Sequence, residues 1–288
     1  MTKIAEKLTF GVEIETTCNP AKTGVRVGGY HCGIQVPYLP TGWKAENDAS
    51  IRSTLRGHTS CEIVSPILRG SAGLEEVTRV IKILTEKGHR VNSSCGVHVH
   101  VGFTKANGTQ YGADILARLI TLVSFLEKGL YAVTGTKSRE RSRWCGSTKS
   151  FCGSLIKNAK EFMKHKRNEK YSILNVSPLT SSKKTVEFRV FSGSLEVVKV
   201  IGWIMVCLGI VEKALTDKRA MTWNAKDMTQ SKTLGKGTIG ATEVERLLFI
   251  LGWGNTKKNH GWISNAIPMK EIKAEFRRLA QKYDGATA

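Results

Sequence analysis

Little in this chain would carry it into a bilayer or tie it together covalently. No apolar run approaches the roughly 18 residues needed to cross a membrane. The longest candidate, Val200–Val211, is 12 residues long and is flanked by Lys199 and Glu212. The first ten residues also lack an apolar signal core, so a cytoplasmic protein is expected, with no membrane partner. The seven cysteines are odd in number and form no C-x-x-C pair, which argues against a disulfide framework and for reduced thiols. A Walker G-x-x-x-x-G-K-[ST] is missing, so any ATP would be held without a P-loop. No internal repeat or low-complexity block appears. Acidic residues are scarce beside basic ones, 24 against 44, for a formal charge of +20. That balance favours partners of negative charge.

Part of the basic excess is local. Lys137–Lys170 holds 11 Lys and Arg against three Glu, a run that fits either a solvated face or contact with phosphate or nucleic acid. With 41% hydrophobic residues the chain can still bury a sizeable core. Strands are expected over Leu8–Glu15, Glu62–Ser65 (stopped by Pro66), Val97–Phe103 and Thr185–Phe191. Helices are expected from about Leu74 to Gly88, over Ala113–Ala132, Ser154–Lys166, Leu195–Leu215, Thr242–Leu251 and Met269–Tyr283. Residues 20–60 read as loop or short hairpins, and Thr216–Gly240 as a linker. The fold class is α+β. Gly235-Lys236-Gly237-Thr238-Ile239-Gly240 spells G-x-G-x-x-G, but no strand precedes it and no acidic residue lies suitably beyond, so it reads as linker.

Chemistry concentrates in the strands. Glu13-Ile14-Glu15, Glu62, His98-Val99-His100 and Glu187-Phe188-Arg189 place polar residues among apolar neighbours. In a strand, two-residue spacing sends both side chains to one face. Singly, each pattern has a plain explanation in a solvent-facing pair or a same-face ion pair. Four such segments in one chain point instead to a shared, carboxylate-rich metal site. Carboxylates with one or two imidazoles suit Mg²⁺ or Mn²⁺ better than zinc. Hard ions of this kind commonly hold phosphates, and Arg189 with Arg139, Arg141 and Arg143 would add cations where charge builds on a transferring phosphoryl group. A zinc hydrolase beginning with H-x-H would need further histidines at strand ends, and His31, His58, His89, His165 and His260 do not stand in such contexts.

Phe10-Gly11-Val12-Glu13-Ile14-Glu15, Trp43 with Asp48, Cys61-Glu62-Ile63-Val64-Ser65-Pro66, Cys95-Gly96-Val97-His98-Val99-His100-Val101-Gly102 and Thr185-Val186-Glu187-Phe188-Arg189-Val190-Phe191-Ser192-Gly193 together resemble the amidoligase family of the glutamine-synthetase-like superfamily, from about residue 8 to 195. The resemblance implies a glutamine-synthetase-like antiparallel sheet with helices packed on one face. The catalytic domain would span 1–215, with 216–288 a linker and helical C-terminal extension. It implies an ATP-dependent carboxylate–amine ligase that works through an acyl phosphate, with Mg²⁺ or Mn²⁺. By motif, Glu13, Glu15, Glu62, His98 and Glu187 would be metal ligands, and His100 would lie near the nucleotide phosphates. Arg189 would neutralise the transferring phosphoryl group. Arg139 and Arg141 resemble positions that hold the acyl phosphate or substrate carboxylate. Tyr171 and Asn175 also fit the family pattern, and Asp48 could bind or deprotonate the amine. The substrates would be a small amine and a carboxylate, or a peptide or polyanionic polymer, nucleic acid included. A basic nucleic-acid-binding protein without ligase activity is the rival reading.

Overall fold

The computed structural model describes residues 4–148, 169–216, 242–254 and 267–285. The helix expected over Ser154–Lys166, nearly all of the Thr216–Gly240 stretch with its glycine motif, and much of the basic Lys137–Lys170 run lie outside the described residues.

The fold is α+β, centred on an eight-stranded sheet. Its strands are β1 (Thr9–Cys18), β2 (Ile34–Gln35), β3 (Lys44–Glu46), β4 (Thr59–Val64), β5 (Leu68–Arg69), β6 (Gly96–Gly102), β7 (Leu174–Asn175) and β8 (Thr185–Ser192). They run in the order β2-β3-β4-β1-β6-β8-β7, with β5 also paired to β1, and every pairing between these strands is antiparallel. Six α-helices are described: α1 (Pro20–Thr23), α2 (Gly70–Glu86), α3 (Ala113–Ala132), α4 (Val197–Thr216), α5 (Glu243–Ile250) and α6 (Met269–Gly285). None is long and apolar enough to cross a membrane.

Alternation along the strands sorts the two faces. Phe10, Val12 and Ile14 of β1, Val97, Val99 and Val101 of β6, and Phe188 of β8 are buried on the side where α3 and α4 touch the sheet. Phe191 stacks on Trp203 of α4 at 5.0 Å, and the Trp203 indole N–H donates to the Val133 carbonyl at the end of α3. Helices α5 and α6 pack on α3 and α4, and their Leu247, Leu248, Ile272 and Phe276 join the same core as the sheet. The residues that lie between them in the strands face the other way and are free to build a site.

Two local devices shape that face. Pro66 interrupts the strand as expected, because it has no N–H for the ladder. The Ser65 hydroxyl accepts from the Val12 N–H at the break, and pairing with β1 resumes at β5. In β8 the register against β6 slips between Val97 and Val99, so three residues of β8 span two of β6, as in a β-bulge. The Arg139 guanidinium donates to the carbonyls of Arg189 and Val190 at this slip.

Candidate active site

Four neighbouring strands deliver the polar residues in register. Glu15 lies opposite Glu62 across β1 and β4, Glu13 opposite His98 across β1 and β6, and His100 opposite Glu187 across β6 and β8. Directly paired residues share a face, so these side chains form a band across one wall. That wall bounds a cavity of about 630 Å³, lined also by Asp48, Arg139, Asn175, Lys183 and Arg189. His98 stands in the middle, with Nδ1 3.4 Å from Glu13 Oε2 and 3.7 Å from Glu187 Oε1, and Nε2 3.5 Å from Glu15 Oε1.

The two ends of the band differ in charge. At the β8 end, Glu187 pairs with Arg189 and accepts from the Asn175 side-chain amide at 2.6 Å. Burial alone would raise its carboxyl, but His100, Arg189 and His98 hold it below the ordinary range. Glu13 behaves alike: burial opposes ionisation, while His100 and His98 keep its carboxyl well below the usual value, and Lys183 adds a cation 3.8 Å away. Burial works against a charged His100, yet Glu13 and Glu187 raise it. At the β4 end no ion pair reaches Glu62 or Asp48 among the described residues. Burial first, then Glu13, Glu15, Asp48 and Glu46, push Glu62 up to about 9. A buried cluster of carboxylates with too few cations is stable only if protonated or if a cation joins it.

Three overlapping groups bring ligand atoms within 4.8 Å of one another: Glu13 with His100 and Glu187, Glu13 with Glu62 and His98, and Glu15 with Asp48 and Glu62. His100 Nε2 is buried and lacks a hydrogen-bond partner, although Glu13 Oε1 lies 3.1 Å away. Carboxylate oxygens are the donors a hard divalent ion takes, and they outnumber the imidazoles in these groups. The residues present therefore fit such an ion.

Of the residues expected from sequence, Glu13, Glu15, Asp48, Glu62, His98, His100, Arg139, Tyr171, Asn175, Glu187 and Arg189 all line this cavity. Arg143 does not, being exposed over the Trp144 ring, and neither does Arg141: it is exposed and lines a separate cavity with Lys137, Glu140 and Tyr283. It follows Arg139 by two residues in a turn segment that belongs to no strand, so the same-face rule of strands does not hold there. Arg139 reaches the site but spends N–H groups on the two bulge carbonyls, which makes it a support of Arg189. Sequence reasoning missed the lining residues Lys183, Tyr30, His31, Trp144 and Lys170. His31 comes in from the loop before β2, which offers no periodic signal. Lys183 precedes Lys184, whose φ of 46° turns the chain into β8, and nothing in a Ser-Ser-Lys-Lys run announces such a turn.

Fold and site thus define a protein that gathers carboxylates and imidazoles on the open face of an antiparallel sheet. The sequence profile of one family, described as "putative amidoligase enzyme", matches residues 6–211. The chain belongs to that family, whose name describes a ligase. No curated protein matches the chain.

Proposed function

We propose that the protein is an ATP- and Mg²⁺-dependent carboxylate–amine ligase on a glutamine-synthetase-like sheet. The observation that carries this reading is the convergence of Glu13, Glu15, Glu62, His98, His100, Glu187 and Arg189 on one cavity wall. A substrate carboxylate oxygen attacks the γ-phosphorus of ATP and ADP leaves; an amine then attacks the acyl carbon and phosphate leaves, giving an amide.

Glu13, Glu15, Glu62, His98 and Glu187 would hold Mg²⁺ or Mn²⁺, whose chemistry when bound is to offset and orient phosphate charge. Arg189 is fixed by Glu187 and by the Trp144 carbonyl, which leaves further guanidinium hydrogens for a transferring phosphoryl group. His100, anchored through Nδ1 to the Thr185 hydroxyl, stands beside the phosphates. Asp48 lies at the end without basic partners, where an incoming ammonium group loses a proton. The aromatic lining of Tyr30, Trp144 and Tyr171 admits substrate, and the net charge of +20 favours acidic substrates, up to a peptide or polyanion. A reduced, ATP-supplied cytoplasm fits this reading.

Phosphate release from ATP and Mg²⁺, screened over pooled amines and acids, tests the reading. Turnover should require both an acid and an amine, and Arg189→Ala should lower kcat by about 10³-fold or more. Turnover on no pair, or an effect of Arg189→Ala confined to KM, contradicts it.

A further inference from the structure

We propose that Cys18, Cys61 and His89 form a second metal site, for a soft divalent ion of the zinc class, on the face of the sheet opposite the carboxylate band. Cys61 is the partner of Thr16 across β4 and β1, so it stands on the helix side while its neighbour Glu62 stands on the other. Cys18 follows Thr16 by two residues and shares that side. His89 lies just beyond α2, where Arg90 bridges back to Thr17. One ligand atom from each of the three lies within 4.8 Å of the others. That is about 1 Å wider than the edge of a tetrahedron built on zinc–sulfur bonds of ~2.3 Å. All three side chains are fully buried.

Hydrogen bonding prepares the imidazole. The Thr16 hydroxyl donates to the Cys61 carbonyl, which leaves its oxygen to accept from His89 Nδ1 at 2.9 Å. Nδ1 therefore carries the proton and Nε2 a lone pair, now facing the Tyr38 hydroxyl at 2.9 Å. A metal-bound histidine shows the same pattern: one nitrogen ligates while the other N–H donates to a fixed oxygen. Two thiolates with a neutral imidazole cancel the charge of a divalent ion, which suits a site with no exposed surface. Binding forms two metal–sulfur bonds and one metal–nitrogen bond and releases two thiol protons to solvent. The Tyr38 hydroxyl, already against Nε2, is a candidate for the fourth position. Thiolates select against Mg²⁺, so the two faces of the sheet would sort hard from soft ions. The metal would tie β1, β4 and the α2–β6 connection behind Glu15 and Glu62.

The full chain, purified and dialysed against excess Mg²⁺, should retain one equivalent of zinc. After chelation, added Co²⁺ should give the thiolate charge-transfer band and the strong visible bands of a tetrahedral site. Cys61→Ala should abolish both signals, whereas Glu187→Gln should keep them, which separates this site from the ligase reading. No zinc in the wild-type chain with both thiols open to titration after unfolding, or a Cys18–Cys61 disulfide, would overturn the proposal without recourse to any variant. So would zinc that survives Cys61→Ala but is lost in Glu187→Gln.

Discussion

At the scale of single residues, Glu62 responds most plainly to what the cavity contains. Its carboxyl is raised from 4.5 to about 9, chiefly by burial and then by Glu13, Glu15, Asp48 and Glu46. A folded-state value above the unfolded one means that stability from the bound proton is complete below about 4.5 and is lost as pH rises through 9. Relative to Glu62→Gln, the wild-type chain stripped of divalent ions should therefore lose thermal stability across that window, and Mg²⁺ or Mn²⁺ should restore it at pH 8. Thermal scans of both proteins check this; parallel pH profiles would contradict it. Residue chemistry was the part most legible in the sequence. Two-residue spacing told which of Glu13, Ile14 and Glu15 share a face, and the four motifs named nearly every polar group on the band. Arg141 was expected there only by resemblance to a loop position, where no alternation fixes a face.

Among the elements, close approaches decide where helices sit. Gly202 of α4 lies where an added Cβ would come within 2.9 Å of the Phe276 ring and 3.0 Å of Ile272 Cγ2 on α6. Gly129 of α3 meets the Glu243 carbonyl of α5 in the same way, at 2.8 Å. Gly202→Ala should cost about 1–3 kcal/mol by overpacking and lower the melting temperature, with Mg²⁺-ATP binding retained in the folded fraction. An unchanged melting temperature would show that α6 is not seated there. Helix α3 was readable to the residue because Leu116, Leu119, Ile120, Val123 and Leu126 repeat at helical spacing and are all buried. The two-residue strands β2, β5 and β7 are too short for any period to show. The β8 slip was equally hidden, since a bulge adds a residue without changing composition.

For the whole molecule, the sheet has one dry face and one working face. The helices, including α5 and α6 beyond residue 215, close the dry face into a single core; amphipathic periodicity revealed those helices but not their partners. The working face concentrates buried negative charge in a chain of net charge +20. On the proposed reading, divalent cations held by the carboxylate band and the net positive charge of the chain would both favour a triphosphate. Calorimetric titration of ATP tests this most directly, since it needs neither substrate identified. ATP should bind the wild-type chain with Mg²⁺ and not with chelator, and Glu187→Gln should weaken Mg²⁺-dependent binding by more than about tenfold while the fold is kept. Equal ATP affinity with and without Mg²⁺, or full affinity in Glu187→Gln, would contradict a metal-held nucleotide at this sheet face.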